Sequence, residues 1–197
     1  MNSEQQYIDL YRQTAGMIAS HSAPPMNDAR EKAFEDFVRN GFPSQKVERY
    51  KYTDIDALFA PDYGLNLNRL DIPVNPYDAF RCDVPNLSTS LYFVVNDAFY
   101  DRLLPKSLLP EGVVVGSLRD YAQAHPDIIA RYYARIADTA DDGVTALNTM
   151  LAQDGLLVYV PRGLQVERTI QVINILRSDV DLMVNRTDLI LRGEGAE

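Results

Sequence analysis

The sequence predicts an α+β protein: a helical N-terminal part, 1–90, and a mixed segment, 91–197, that closes on the opening strands of a β-solenoid. Three observations carry this. Near the N-terminus apolar residues recur at three- and four-residue steps, the mark of amphipathic helices. From Leu91 they become β-branched and aromatic and fall in short blocks. The C-terminal stretch then holds three such blocks, 156–160 (LLVYV), 169–176 (TIQVINIL) and 182–191 (LMVNRTDLIL), with a Pro-Arg-Gly break after the first. Stacked strands of this kind suggest a rigid scaffold rather than a pocket enzyme. The pattern reaches a turn at 193–197 with nothing after it, so further chain is expected to belong to the functional molecule.

The elements follow in order. Residues 4–20 place Ile8, Tyr11, Ala15 and Ile18 on one helical face, and the Ser-Ala-Pro-Pro run at 22–25 ends that helix. A second helix is expected over 28–40. Asp28 and Glu31 would form its capping box, and Ala33, Phe34, Phe37 and Val38 its buried stripe. Gly41 suits the position after the last turn, Phe42 can fold back on that turn, and Pro43 prevents continuation. Tyr50 and Tyr52 flank Lys51 in an extended segment. Thr53 or Asp54 then caps a turn carrying Ile55, Leu58 and Phe59. With four prolines, 61–85 reads as a long irregular connection, and it contains Cys82.

Beyond it, 91–95 and 113–118 read as strands, with a turn at Asn96 and Asp97. Helices are expected over 118–124, over 126–137 with His125 as N-cap and Pro126 at the first position, and over 145–152. In the second closing block Ile170, Val172, Asn174 and Leu176 face one way, and Gln171, Ile173 and Ile175 the other. Both faces are largely apolar, so both should be covered, the outer one by the N-terminal helices or by further chain. Asn174 and Asn185 are candidates for an inward amide ladder, although an outward Asn on a solvated strand fits as well.

Composition excludes several function classes. The 197 residues are 46% hydrophobic and 24% charged, ordinary for a soluble globular protein. No stretch approaches the roughly 20 apolar residues of a membrane span. The N-terminus lacks the basic-then-apolar layout of a secretory signal. One cysteine permits no intrachain disulfide, which fits a cytoplasmic protein. A formal charge of -9 argues against nucleic acid, which demands clustered Lys and Arg. Neither nucleic acid nor membrane is expected as a partner.

Two histidines and one cysteine fall short of the roughly four donors that a zinc or iron–sulfur site needs. A carboxylate-only Mg or Ca site stays formally open, but no D-x-D-x-D-G loop is present. Phosphate-loop, dinucleotide and nucleophile-elbow motifs are also missing. No catalytic, cofactor-binding or metal residue is therefore expected.

Two stretches carry a family resemblance. Residues 41–53, GFPSQKVERYKYT, are similar to the signature G-x-P-x-x-K-x-E-x-W-K-Y-T. The match holds at Gly41, Pro43, Lys46, Glu48, Lys51, Tyr52 and Thr53, and Tyr50 stands where Trp is usual. Leu147-Asn148 followed by 154–163, DGLLVYVPRG, resembles the pattern LN…DG-x-x-(I/V)-Y-(I/V)-P-x-G; Thr169-Ile170 then stands where Pro-Ile is frequent. Together they resemble the SufB/SufD family of iron–sulfur cluster assembly proteins, and its SufD branch in particular.

The resemblance implies a helical N-terminal domain, a right-handed parallel β-helix, here truncated, and a helical C-terminal domain. It implies a SufB-like sister subunit and a SufC-like ABC ATPase as partners. The iron–sulfur cluster would be the product of the wider assembly, with no cofactor held by this segment. The residues tied to cluster formation and to ATPase docking would lie beyond Glu197.

Individual residues are weighed against plainer roles. Cys82, between Arg81 and Asp83, could accept sulfur, but an incidental loop cysteine is the expectation. His125 reads as a helix start and His21 as a solvated loop residue. Lys46, Glu48, Lys51 and Tyr52 could form a partner-recognition patch. The favoured reading is a lock in which Tyr50 and Tyr52 bury their rings and Lys46 pairs with Glu48. Asp138, Asp141 and Asp142 could bind a cation, but a solvated loop is expected. Asp188, Glu194 and Glu197 invite comparison with acidic sites of polysaccharide-cleaving β-helices, which need a defined carboxylate separation.

Three functions are thus open: a non-catalytic assembly scaffold, which is favoured; a carbohydrate-active β-helix enzyme; and a free-standing interaction module. An uncapped solenoid should also self-associate through 170–191, or order these strands poorly.

Overall fold

A computed structural model of the chain describes residues 3–69, 75–76, 89–102, 109–176 and 181–197. Helix α1 (Ser3–Ser20) buries Tyr7, Tyr11 and Ile18, with Ile8 and Ala15 at the edge of the same core. The prolines after it do more than end it. They open a short helix, α2 (Pro24–Asp28), because proline's fixed φ suits a first helical turn. Helix α3 (Arg30–Asn40) follows directly.

The expected capping box is not formed. Asp28 is the last residue of α2, and Ala29 before α3 is itself helical (φ -83°, ψ -15°), so no extended N-cap exists for a side chain to use. Val38 also departs from the expected stripe and is 47% exposed. It lies about 100° round the helix from buried Phe37, outside the face that Ala33 and Phe37 bury.

Arg30 is buried without a carboxylate partner among the described residues. Its guanidinium donates to the carbonyls of Thr149 (3.3 Å) and Met150 (3.0 Å), to Ser22 Oγ (2.7 Å) and to Asn27 Oδ1 (2.9 Å). Those carbonyls lie in the last turn of helix α7 (Gly143–Leu151), where the helix dipole is negative and acceptors lack partners. Burial pulls the Arg30 pKa down.

Strand β1 (Thr89–Val95) turns at Asn96 and Asp97 into β2 (Ala98–Phe99). Asn96 takes a positive φ of 53°, which asparagine tolerates. After β3 (Val114–Ser117) comes α5 (Leu118–Ala124), capped by Ser117, which accepts from the Asp120 N–H. The helix expected over 126–137 ends early, as α6 (Pro126–Ile129), and turns follow to Ala134 at φ 54°. His125 precedes α6 but makes no cap hydrogen bond; its ring lies 4.5 Å from that of Tyr121.

Then follow α7, β4 (Leu156–Val160), β5 (Thr169–Ile175) and β6 (Leu189–Arg192). The block 182–191 is therefore not one strand. Leu182 bridges to Gly64, and only its C-terminal end joins a sheet. Between them the backbone answers to other partners. The Arg186 carbonyl accepts from Asn148, and the Thr187 N–H donates to the Asp154 carbonyl.

Two three-stranded sheets result, in the orders β2-β1-β5 and β3-β4-β6. In the first, β1 and β5 run parallel with Tyr92 opposite Val172. In the second, β4 and β6 run parallel with Val158 opposite Ile190, while β3 is antiparallel to β4. From β4 the chain crosses to the other sheet for β5 and returns for β6, so each return lays a strand parallel to an earlier one. Parallel neighbours need such a long crossover.

Side chains of both sheets meet between them: Tyr92, Val94 and Phe99 with Leu156, Val158 and Val160, edged by Ile170 and Val172. On the far side of the second sheet Leu157, Leu189 and Leu191 pack against Met26, Leu118, Ala122 and Ile129. Strand β4 is thus covered on both faces. The third core joins α1 and α3 to α7, through Tyr11, Ile18, Ala33 and Phe37 against Ala146, Leu147 and Met150. The amide ladder is not formed: Asn185 is buried, whereas Asn174, near the end of β5, is exposed.

Candidate functional site

The signature at 41–53 is a clasp on the start of α7. Gly41 has φ 61°, and its N–H donates to the Phe37 carbonyl (2.8 Å). Its carbonyl oxygen lies where a Cβ on Gly143 would sit, so the approach requires glycine there. Phe42 enters an aromatic group with Phe37 (5.3 Å), Tyr7 (5.9 Å) and Phe59 (4.9 Å), and its N–H donates to Glu4 Oε1 (2.8 Å). Successive turns then carry the chain through a 3-10 turn, Glu48–Tyr50, to Asp54. Asp54, not Thr53, caps α4 (Ile55–Phe59), accepting from the Ala57 N–H.

Asp142 receives this clasp. One carboxylate oxygen accepts from the N–H groups of Val144 (2.8 Å) and Thr145 (3.2 Å), capping α7. The other accepts from the Tyr50 hydroxyl (2.6 Å) and the Arg49 guanidinium (2.9 Å). Burial, then the Asp142 carboxylate, push the Tyr50 phenol pKa up. A Trp at this position keeps an aromatic body and one N–H donor, which suits the same acceptor.

Tyr52 corrects the expectation that both rings are buried: it is 90% exposed, with the Lys51 ammonium 5.6 Å from its ring centre. Lys46 is exposed too, and Glu48 pairs with Lys51 (3.9 Å) instead. Tyr50→Phe should therefore cost about 1–3 kcal/mol, the value of a hydrogen bond to a charged acceptor. Tyr52→Ala should change stability by less than about 0.5 kcal/mol. Urea unfolding of both variants checks the contrast.

The second signature forms a charged clasp. Asp154 is buried before β4. It accepts from Ser117 Oγ (2.8 Å) and the Arg119 N–H (3.0 Å), and its other oxygen meets Arg69 (3.2 Å). The same guanidinium reaches Asp97 in the β1–β2 turn (3.2 Å). Burial pushes both carboxyl pKa values up, against the pull of Arg69.

These groups floor a cleft of about 380 Å³, which His21, Asn68, Arg102 and Arg119 also line. Ser117 Oγ donates to Asp154 and accepts from the Asp120 N–H, which caps α5. Gly155, next to Asp154, passes so close to Thr187 that a Cβ would fall on the Thr187 carbonyl oxygen.

The remaining sequence candidates separate. Cys82 lies outside the described residues. His21 Nδ1 sits 2.7 Å from the Leu67 carbonyl, so the residue is tied down rather than solvated. Asp138 pairs with Lys32 (3.2 Å), while Asp142 is a buried helix cap, so the expected solvated loop is in part a structural anchor. Asp188 accepts from the Leu156 N–H (3.0 Å) and pairs with Arg186 (3.0 Å), whereas exposed Glu194 pairs with Arg162 (3.1 Å). No group of three or more His, Cys, Asp and Glu among the described residues is placed to hold a metal ion. No helix among them is long and apolar enough to cross a membrane.

Sequence reasoning missed Arg69, Asp97 and Arg30. None belongs to a periodic pattern; Arg69 meets Asp97 28 residues away and Asp154 85 away, and Arg30 reaches carbonyls 119 and 120 residues away.

The family model of the SufBD protein N-terminal region matches residues 1–172. The chain belongs to the SufB/SufD family. It is similar to an iron–sulfur cluster assembly SufBD family protein of Synechocystis sp., 29% identical over 184 residues, covering 87% of this chain and 38% of that protein. A chloroplastic SufBD family protein of Arabidopsis thaliana is 28% identical over 169 residues, 78% of this chain and 30% of the relative. The iron–sulfur cluster assembly protein SufD of Bacillus subtilis is 25% identical over 109 residues, 55% of this chain and 25% of that protein. The chain thus spans less than two fifths of the length of these relatives.

Proposed function

We propose that this chain is the N-terminal portion of a SufD-like, non-catalytic subunit of a SufBCD-type iron–sulfur cluster assembly scaffold, acting in the cytoplasm through protein–protein contacts. The observation that carries the reading is the use made of the two family signatures. Tyr50 of the first, with Arg49 beside it, holds the start of α7, and Asn148, Asp154 and Gly155 of the second tie the segments leading into β4 and β6 to their neighbours. A scaffold needs that rigidity.

The return of β6 beside β4, by way of β5 in the other sheet, supports the start of a right-handed parallel β-helix. In this reading the cluster is the product of the assembly and not a resident group. A SufB-like sister pairs with the β-helix, and a SufC-like ATPase docks beyond Glu197.

Co-expression of the full-length gene product with those two partners tests the reading. A stable three-component complex is expected, with residues 1–197 alone leaving the ATPase unbound. A gene product that retains neither partner defeats the proposal. Retention of the ATPase by 1–197 alone defeats the placement of its docking site.

A further inference from the structure

Gln153 and Asn185 are both buried, 3% and 9% exposed, and each leaves one amide atom without a hydrogen-bond partner among the described residues. The two atoms are complementary: Gln153 Oε1 can only accept, and Asn185 Nδ2 can only donate. Burying such atoms unpaired is costly, and native folds seldom do it. They come from separate stretches of chain. Gln153 stands between α7 and β4, just ahead of the signature residues Asp154 and Gly155. Asn185 lies on the return from β5 to β6. Both nevertheless line one cavity of about 10 Å³, whose wall also holds Leu65, Asp97, Leu151 and Val184. That is room for a single water molecule.

We propose that this cavity is a binding site for one structural water, which donates to Gln153 Oε1 and accepts from Asn185 Nδ2. Size and chemistry select it together. A bare cation would face the hydrogens of the Asn185 amide. An anion would face the Gln153 oxygen and the Asp97 carboxyl. Water donates and accepts at once, and it fits the volume. A buried water makes about three hydrogen bonds. Asp97 can take the second hydrogen, because a carboxylate has acceptor positions left beside its contact with Arg69. The water thus ties the end of α7 and the β1–β2 turn to the stretch 182–185. That stretch belongs to neither sheet. Leu182 and Met183 are held by Gly64, and Arg186 by Asn148. Asn185, between those two anchors, is held through the water. The inference stands apart from the scaffold reading, and neither depends on the other.

A crystal structure of the full-length protein, at a resolution that shows ordered water, tests the site. One water is expected at about 2.7–3.2 Å from both Gln153 Oε1 and Asn185 Nδ2. A direct bond between the two amides, a dry cavity, or a peak at about 2.3–2.6 Å from Gln153 Oε1, which would be a cation, overturns the proposal. Thermal unfolding tests the bridge in solution, with Gln153→Met, Asn185→Leu and the double variant of the full-length protein. Each single variant leaves the opposite amide facing an apolar wall, whereas the double variant leaves neither stranded. The loss of Tm in the double variant should therefore fall short of the two single losses together by at least about 2 °C. A smaller shortfall overturns the bridge. If a variant does not fold, the crystal structure of the parent decides alone.

Discussion

Arg69→Ala is expected to lower folding stability at neutral pH by roughly 3–5 kcal/mol, the scale for removing one member of a buried ion network. The guanidinium stands between Asp97 and Asp154, at 3.2 Å from each, and all three side chains are largely withdrawn from water. Without it, two buried carboxylates face each other with no cation between them.

The sign of the pH dependence follows. Burial already holds both carboxyl pKa values above the ordinary range. The folded state therefore keeps these protons to higher pH than the unfolded chain does. The stability these two groups contribute is greatest below the unfolded value of about 3.9 and is lost as pH rises through their folded values. Removing Arg69 raises both values further, so the deficit against the parent should be largest at neutral pH and shrink toward pH of about 4. Urea unfolding of both proteins across that range measures it. A deficit below about 1 kcal/mol at neutral pH, or one that grows on acidification, would show that the clasp is not a buried charge network.

Much of this architecture is written locally, and the parts that are not share a cause. Helices α1, α3 and α7 and strand β4 were legible because their apolar spacing matches a 3.6-residue helix or a covered strand. Gly41 was legible because a positive φ after a helix favours glycine.

Tyr52 shows where local reading stops. In an extended segment residues 50 and 52 share a face, which would send both rings into the core. The 3-10 turn Glu48–Tyr50 replaces that alternation with about 120° per residue, and the two rings diverge. The block 182–191 looked like one strand for a similar reason. Its apolar content is right, but Asn148 and Asp154 take the backbone of Arg186 and Thr187, and the pairing is interrupted. The Arg69 clasp was invisible because it exists only once three distant segments have met.

Gly155→Ala tests whether the crossing of the chain at the foot of β4 holds the second sheet together. The new methyl would fall on the carbonyl oxygen of Thr187 and crowd the carbonyl carbon and amide nitrogen beside it. All three are backbone atoms, so no side-chain rotamer can relieve the overlap. The neighbouring bonds give little room to shift. The Thr187 N–H donates to the Asp154 carbonyl (3.3 Å), the Leu118 N–H donates to the Gly155 carbonyl (3.0 Å), and the Leu156 N–H donates to Asp188 (3.0 Å). Retreat by 187–188 would pull β6 from β4 two residues later, at the pair Leu157 and Leu189.

A cost of about 3 kcal/mol is expected, at the upper end of ordinary overpacking. For a chain of this size that lowers Tm by roughly 6–12 °C. Gly16→Ala is the matched control: it lies inside α1 with no atom near the added methyl, and should stabilise by about 0.5–1 kcal/mol. Hydrogen exchange separates a local from a general effect, because loss of protection should concentrate in β6 and at the start of β4. If Gly155→Ala melts within about 2 °C of the parent, the close approach is not what binds β6 to β4. The buried pair of Leu157 and Leu189 would then be the better candidate for that role.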